Sequence, residues 1–240
     1  MKHEFNAEVT AKNMIPKHFN NPSSKYYQMT AEQIIEMWNE KAESAKEKGR
    51  QFDALMNQLI EVRDNNELQL WKYDVSWDEN DFMKRAYEGF KKLLEILQAE
   101  YMVIGTELPL YARSCKNPNH ITCGRCDCLL WNWKTKRYLI IDWKTSEQIK
   151  QSAFKNMKGP GNKYPDADYF HYMTQLSFYK KSIVETYKLA SAENVDILIC
   201  QMGIPENPGF KTFGPTGKFM YDSAYLDNAI DYAFLRKEIE

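Results

Sequence analysis

Residues 101–144 hold the feature that most constrains this fold: three apolar segments in close succession, YMVIGTELPLYA, TCGRCDCLLWNW and RYLIIDWKTS. Each segment is short, rich in aromatic, β-branched and other apolar residues, and bounded by the turn signals KNPN and NWKTKR. The connections are too short for a crossover helix. The pattern therefore predicts three consecutive antiparallel strands.

Helical patterns flank these strands. Thr30 and Gln33 form a capping box before an apolar run, which predicts a helix start. Spacing of apolar residues predicts further helices over about 45–62, 81–99, 169–189 and 223–240, while VDILICQMGI is typical of a buried strand. Residues 1–28 and the segment PENPGFKTFGPTGK are expected to be irregular. This order of elements predicts a mixed α/β (α+β) fold with a helical N-terminal region.

The length of 240 residues suits one domain with a sizeable core. We expect a single domain over 1–240, with a helical flank at 1–100, the core at 101–205, and a loop and closing helix at 206–240. The net charge of −1 excludes a uniformly basic nucleic-acid coat, but it leaves room for a local basic groove.

The N-terminal segment MKHEFNAEVT lacks the apolar core of a signal peptide, and no apolar run approaches the roughly 18 residues of a membrane span. We therefore expect no membrane contact and a cytoplasmic location. Cysteines in that compartment are reduced, metal-bound or buried rather than paired as disulfides.

Two acidic residues stand within the apolar strand segments. Asp127 precedes a pair of leucines, and Asp142 follows the run LII, so both carboxylates are expected to be partly buried and to need a cation or a hydrogen-bonding partner. Lys144 shares a strand face with Asp142. Two carboxylates on neighbouring strands can bind Mg²⁺ or Mn²⁺, and a lysine beside them can hold water or neutralise phosphate charge. This set is sufficient for phosphodiester hydrolysis.

The order of these motifs resembles the PD-(D/E)XK nuclease superfamily, and most closely its RecB-like and phage-type exonuclease branch. That family carries Glu-x-Pro, Gly-x-x-Asp, Asp/Glu-x-Lys and a helix with Gln-Leu-x-x-Tyr. The corresponding stretches within 45–205 are ELP from Glu107, GRCD to Asp127, DWK to Lys144 and QLSFY to Tyr179. The resemblance implies a restriction-endonuclease-like core with a mixed central sheet flanked by helices, and it makes 101–205 a catalytic core.

The resemblance also implies catalytic roles. Asp127 and Asp142 bind the metal ion, with the backbone carbonyl of Trp143 as a further ligand. Lys144 positions or activates water. Glu107 is an accessory acid, either in the outer shell of the metal or structural.

The implied site also includes one helix face and one position at which this sequence departs from the family pattern. Gln175 and Tyr179 lie four residues apart on one face, which in the family borders the active site and contacts substrate or the catalytic lysine. The family often carries Gly-x-x-x-His on an early helix, where the His binds metal. Here Asp53 follows Gly49 at that position. The resemblance thus makes Asp53 a candidate metal ligand, and an ordinary exposed helix position is the alternative.

The resemblance implies a Mg²⁺- or Mn²⁺-dependent deoxyribonuclease. We expect an exonuclease of phage or mobile-element type that acts in DNA recombination, repair or replication, with DNA as substrate and partner proteins of those processes in the host cytoplasm. An endonuclease of restriction or junction-resolving type is the enzymatic alternative. A catalytically inactive nucleic-acid-binding module and a zinc-stabilised interaction domain are the non-enzymatic ones.

The cysteines raise a separate hypothesis. Strand alternation puts Cys126 and Cys128 on one face and Cys123 on the other, which is unfavourable for a zinc knuckle that needs its CxxC pair on a tight turn. A structural Zn²⁺ site through Cys115, His120 and Cys123 is the remaining arrangement. Otherwise these cysteines are small apolar fillers.

Two loops supply lysines beside the predicted site. They are candidate DNA-contacting flaps, although solvated loops are an equal alternative, and their lysines are Lys155, Lys158, Lys163, Lys211 and Lys218.

Overall fold

The structure is a computed structural model that describes residues 7–62, 68–70, 80–216 and 219–237. The chain divides into two compact units, whose described parts begin at residues 7 and 52. Among the described residues, no helix has both the length and the apolarity needed to cross a membrane.

The smaller unit contains α1 (Ala7–His18) and the first part of α2 (Ala31–Leu59). The predicted capping box is confirmed: Thr30 N–H donates to Gln33 Oε1 at 2.8 Å, and Gln33 N–H donates to Thr30 Oγ1 at 3.3 Å. The expectation of irregular chain over 1–28 is wrong for α1. This helix has too few apolar positions to show a periodic face in the sequence. Residues 1–6 lie outside the described part. A small core holds this unit together: Ala11, Tyr26, Ala31 and Ile34.

The two N-terminal helices expected after Thr30 form one continuous helix, α2. It ends earlier than predicted, because Ile60–Val62 is a short strand, β1, that pairs antiparallel with β2 (Leu68–Leu70). Ile60 and Val62 at the two ends of β1 are β-branched, which favours a strand over a helix. Helix α3 (Asp81–Gln98) matches its predicted span, and Asn80 caps it by accepting a hydrogen bond from Phe82 N–H.

The centre of the larger unit is a five-stranded mixed sheet, whose strands follow one another in chain order. They are β3 (Tyr101–Arg113), β4 (Ile121–Asn132), β5 (Arg137–Lys144), β6 (Val195–Met202) and β7 (Phe210–Phe213). The predicted antiparallel meander of the first three is confirmed. Strand β6 runs parallel to β5, and β7 runs antiparallel to β6. The expectation that PENPGFKTFGPTGK is all loop is wrong, since it contains β7.

Helices cover both faces of this sheet. One core packs α4 (Asp168–Lys181) and α5 (Ser223–Lys237) against residues such as Ile140, and the other packs α3 against Leu139 and Ile141. Helix α4 ends eight residues before its predicted end at 189, since a wider turn occupies Ser182–Thr186. The mixed α/β class expected from the sequence is confirmed.

Candidate active site

Strand alternation in β5 directs Asp142 and Lys144 toward α4. Leu139, Ile141 and Trp143 pack into the core beneath α3, so Asp142 and Lys144 occupy the opposite face. The Lys144 ammonium lies 4.7 Å from the ring centroid of Tyr172 on α4, close enough for a cation–π contact. The predicted pairing of Asp142 with Lys144 on one face is confirmed.

Asp142 is a buried carboxylate with one partner. It is only 1% exposed, and Lys144 Nζ lies 2.5 Å from its Oδ2. Apart from this ion pair, no described group donates a hydrogen bond to either carboxylate oxygen. Burial raises the pKa of Asp142, and the Lys144 charge only partly opposes it. Burial lowers the pKa of Lys144, but Asp142 and Asp127 outweigh it, and the net pKa is raised.

Asp127 reaches the same place from β4. Its Oδ2 accepts a hydrogen bond from the backbone N–H of Trp143 at 2.7 Å. Burial and the neighbouring Asp142 raise the pKa of Asp127 to about 7. The N–H and C=O of one strand residue point to the same edge of the strand. The Trp143 carbonyl is therefore directed toward the side on which Asp127 lies.

The backbone around Asp127 departs from regular pairing. Thr106 pairs with Cys128 and Leu108 with Cys126, but the described ladder skips the residues between them, Glu107 and Asp127. Glu107 has a left-handed φ of 51°, which is unusual for a residue with a Cβ. Pairing of β4 with β5 also stops at Cys128 and Ile141, one position before Asp127. The irregularity leaves Asp127 free to turn toward β5.

This irregularity overturns one prediction from alternation. Cys126 and Cys128 were expected on one face of β4, but Cys126 packs into the core beneath α4 and Cys128 into the core beneath α3. The period-two rule holds only along regular strand, and the side on which β4 residues pack changes at the unpaired position of Asp127, while the pairing register of β3 and β4 is the same on both sides of it.

Two further acids lie within electrostatic reach. Burial raises the pKa of Asp53 on α2, with Glu107 and Asp142 raising it further and Lys144 opposing them. Asp53 is thus near the site, although it stays solvent-exposed. Glu107 Oε2 lies 3.4 Å from Arg125 Nη1 in an exposed ion pair at the border of the site.

Helix α4 supplies the predicted polar pair. Gln175 Nε2 donates to the Tyr179 hydroxyl at 2.9 Å. Burial raises the pKa of Tyr179, and Asp142 and Asp127 add to it. Tyr179 is also part of the core beneath α4, so it combines packing with a position beside the two acids.

Gly124 is required by the packing of this tyrosine. A Cβ at position 124 would lie 2.7 Å from the Tyr179 hydroxyl oxygen and 2.8 Å from a ring carbon. Because Tyr179 is buried, it has little room to retreat. The glycine of the Gly-x-x-Asp motif therefore makes space for the helix residue that approaches β4.

We expect Gly124→Ala to displace Tyr179, with a loss of about 1–3 kcal/mol in the free energy of unfolding. Urea denaturation measures it. The double variant Gly124→Ala/Tyr179→Ala should lose no more than Tyr179→Ala alone, since the clash is gone. Additive losses would contradict the contact.

The acids of the site can be compared with the ligands that metal ions require. The described residues contain no group of three or more His, Cys, Asp or Glu side chains arranged to hold a metal ion. Mg²⁺ usually binds through one or two carboxylates and several waters, so Asp127, Asp142 and the Trp143 carbonyl suit it. The buried oxygens of Asp142, whose one partner among the described residues is the Lys144 ammonium, leave room in their coordination for a metal ion.

The residues of the zinc hypothesis have separate partners. His120 Nδ1 lies 2.8 Å from Asp231 Oδ1. The Cys115 thiol donates to Glu185 Oε2 at 3.2 Å, while Cys123 is exposed on β4. Zn²⁺ therefore remains a prediction for which the described side chains offer no assembled cluster.

Sequence reasoning gave no site role to Gln201. It lies beside Lys144 in the parallel register of β5 and β6. Its Nε2 donates to Ser146 O at 2.8 Å, which holds the chain that leaves the site. A buried glutamine within the apolar strand VDILICQM was the signal that could have found it.

Protonation of Asp127 should make the stability of the metal-free protein depend on pH. The folded pKa of about 7 lies above the ordinary value of 3.8, so the native state keeps a proton that the unfolded state has lost between these values. The free energy of unfolding from this group should therefore fall as pH rises from about 4 to about 7.

Asp127→Asn should flatten this dependence. The amide oxygen can still accept the Trp143 N–H, and no charge has to be buried. We expect the variant to be more stable than the wild type at pH 8 by on the order of 1–3 kcal/mol, or roughly 3–10 °C in Tm, and nearly equal at pH 4. Calorimetry in EDTA measures the difference. A difference that does not change with pH would contradict it.

No protein-family model matches the chain, and a search of curated proteins finds no match either.

Proposed function

We propose that the chain is a metal-dependent DNA nuclease with a restriction-endonuclease-like core of the PD-(D/E)XK type. One observation carries the proposal: two largely buried carboxylates, Asp127 and Asp142, are close enough for Asp142 to raise the pKa of Asp127, and Lys144 Nζ lies 2.5 Å from Asp142 Oδ2. Two buried carboxylates beside a single ammonium keep an excess of negative charge, which favours binding of a further cation. A lysine beside two carboxylates suits a substrate that is itself an anion, such as a phosphodiester.

Asp127, Asp142 and the Trp143 carbonyl would hold Mg²⁺ or Mn²⁺, with Asp53 as a candidate further ligand. When bound, the metal ion supplies a Lewis acid for the phosphoryl oxygen and lowers the pKa of a bound water. Trp143 N–H fixes the orientation of Asp127 by its hydrogen bond to Oδ2. The other oxygen, Oδ1, accepts no hydrogen bond from the described residues and is available as a ligand.

Lys144 contributes a charged ammonium to the reaction. Its raised pKa keeps it protonated at neutral pH, so it stabilises negative charge and orients water rather than removing a proton. The Tyr172 ring restrains the ammonium on one side. Gln175 and Tyr179 provide an amide and a hydroxyl next to the acids for contact with substrate, and Glu107 is an accessory acid.

We further propose an exonuclease of phage or mobile-element type that works with recombination, repair or replication proteins in the cytoplasm. An endonuclease of restriction or junction-resolving type would use the same groups. The two differ in their requirement for a DNA end.

Purified protein incubated with end-labelled linear DNA and with closed circular DNA, in Mg²⁺, Mn²⁺ or EDTA, tests this proposal. Degradation of linear DNA that EDTA abolishes, with circles left intact, is the expected result. Cutting of closed circles would replace the exonuclease with the endonuclease. Binding of DNA without degradation in either metal would favour an inactive nucleic-acid-binding module.

A further inference from the structure

The chain that leaves the active site forms a projecting loop. After Lys144 and Ser146, residues 147–158 lead away from β5 before the chain reaches α4. Buried Ile149 anchors the start of this loop in the core beneath α4. Lys150 N–H donates to Asp168 Oδ2 at 3.2 Å, and Lys150 O accepts from Tyr169 N–H at 3.0 Å, so the start of the loop is attached to the first turn of α4.

The far end of the loop is attached as well. Lys155 O accepts from Asp166 N–H at 2.8 Å, and Asn156 pairs with Pro165 in an isolated bridge. Met157 is buried. The four residues between these attachments, Gln151 to Phe154, therefore form a short projection whose two ends are both held.

Phe154 stands at the end of this projection with its ring in solvent. Its side chain has a relative exposure of 102%, against 70% for Met220, the next most exposed large apolar residue in the described part of the chain. Single exposed apolar residues are common at protein surfaces. A fully exposed aromatic ring on a loop that is held at both ends is available for contact with a ligand.

The root of the loop lines a cleft of about 610 Å³ beside the site. Gln151 and Ser152 face this cleft together with Gln201, the residue that pairs in register with Lys144. The cleft therefore lies at the carboxyl ends of the parallel strands β5 and β6, the edge at which open α/β sheets bind ligands.

The charges of the loop favour a polyanion. Its lysines are Lys150, Lys155 and Lys158, against one acid, Glu147. All three lysines are exposed, and none pairs with a carboxylate among the described residues. Aromatic rings with neighbouring ammonium groups bind single-stranded nucleic acid, since bases stack on the ring while the lysines contact phosphates.

We propose that Phe154 is a base-stacking residue for single-stranded DNA that runs from the active site along the 610 Å³ cleft, with Lys150, Lys155 and Lys158 as phosphate contacts. The proposal rests on the proposed nuclease function and names the substrate as a strand with unpaired bases at the site. A ring in a paired duplex would find no open base face.

Fluorescence anisotropy of the full chain in EDTA, with a labelled single-stranded oligonucleotide and a blunt duplex, tests it. Phe154→Ala should weaken single-strand binding about 5- to 100-fold, as expected for one stacked base. Phe154→Trp should restore affinity to within about twofold of the wild type. Ile96→Ala removes an exposed apolar side chain from α3 and serves as the control, with unchanged affinity.

Salt dependence separates stacking from charge. Phe154→Ala should leave the slope of log K against log salt unchanged, while the triple change of Lys150, Lys155 and Lys158 to Ala should reduce its magnitude by about 2. Wild-type affinity in Phe154→Ala would overturn the proposal. If the wild-type protein neither bound nor cut DNA, both the proposed nuclease function and this inference would fail. If the wild-type protein cut DNA and Phe154→Ala bound single strands with unchanged affinity, only this inference would fail.

Discussion

Asp142→Asn and Lys144→Ala should each reduce the rate of DNA hydrolysis by about 10²- to 10⁴-fold at saturating Mg²⁺. Asp142→Asn removes a buried charge that would hold the metal ion, and an amide is a much poorer ligand. Lys144→Ala removes the ammonium 2.5 Å from Asp142 Oδ2 that would stabilise charge on the phosphate. Single-turnover assays with end-labelled linear DNA measure both effects.

The two variants should differ in metal binding. Asp142→Asn should abolish stabilisation by Mg²⁺ in thermal unfolding, whereas Lys144→Ala should keep it, since both carboxylates remain. Asp196→Asn serves as a matched control, because Asp196 lies on neighbouring β6 in an exposed ion pair with Arg137. It should retain wild-type activity. Activity that persists in Asp142→Asn would contradict the site assignment.

Lys181→Met should lower the free energy of unfolding by about 3–5 kcal/mol, the usual cost when one partner of a buried ion pair is removed. The Lys181 side chain is 0% exposed and lies against Glu185 and 3.0 Å from Asp227 Oδ1. Glu185 is buried in part, and hydrogen bonds from Lys181, Ser223 and Tyr221 outweigh this burial to lower its pKa to about 2. Methionine fills the volume but leaves two carboxylates without their cation.

The pH dependence identifies the cause of this loss. In the variant, the carboxylates can take up protons at low pH, so the deficit relative to wild type should shrink from pH 7 to pH 4. Urea denaturation at both pH values measures it. Lys91→Met removes an exposed lysine whose ammonium lies 3.8 Å from Glu88 Oε1, and we expect at most about 1 kcal/mol from it. An equal deficit at both pH values would show that Lys181 acts through packing.

Much of the fold followed from local patterns. The capping box at Thr30 and Gln33, the meander over 101–144 and the span of α3 depend on residues close together in the chain, and the structure has all three. Helix α1 was missed because it has little apolar periodicity, with Ala11 its only buried residue in the described part.

Local sequence patterns predicted only part of the candidate site. Asp142 and Lys144 lie two residues apart on a regular strand, so alternation alone set them on one face. Alternation did not predict the contact of Asp127, whose carboxylate accepts a hydrogen bond from Trp143 N–H at a position of β4 that is unpaired opposite Glu107. Gln201 lies beside Lys144 because β5 and β6 pair in parallel. About fifty residues separate these two strands, so no local period predicts their pairing.

The sequence by itself determined the antiparallel meander and the order of its acids and lysine, since both are set by spacing along one stretch of chain. Only the tertiary structure decided that the Asp142 carboxylate is buried against the Lys144 ammonium, that Tyr172 restrains Lys144, and that Phe154 projects into solvent. Burial and polar contacts of this kind depend on which distant segments pack together, and spacing within one segment carries no information about its partners.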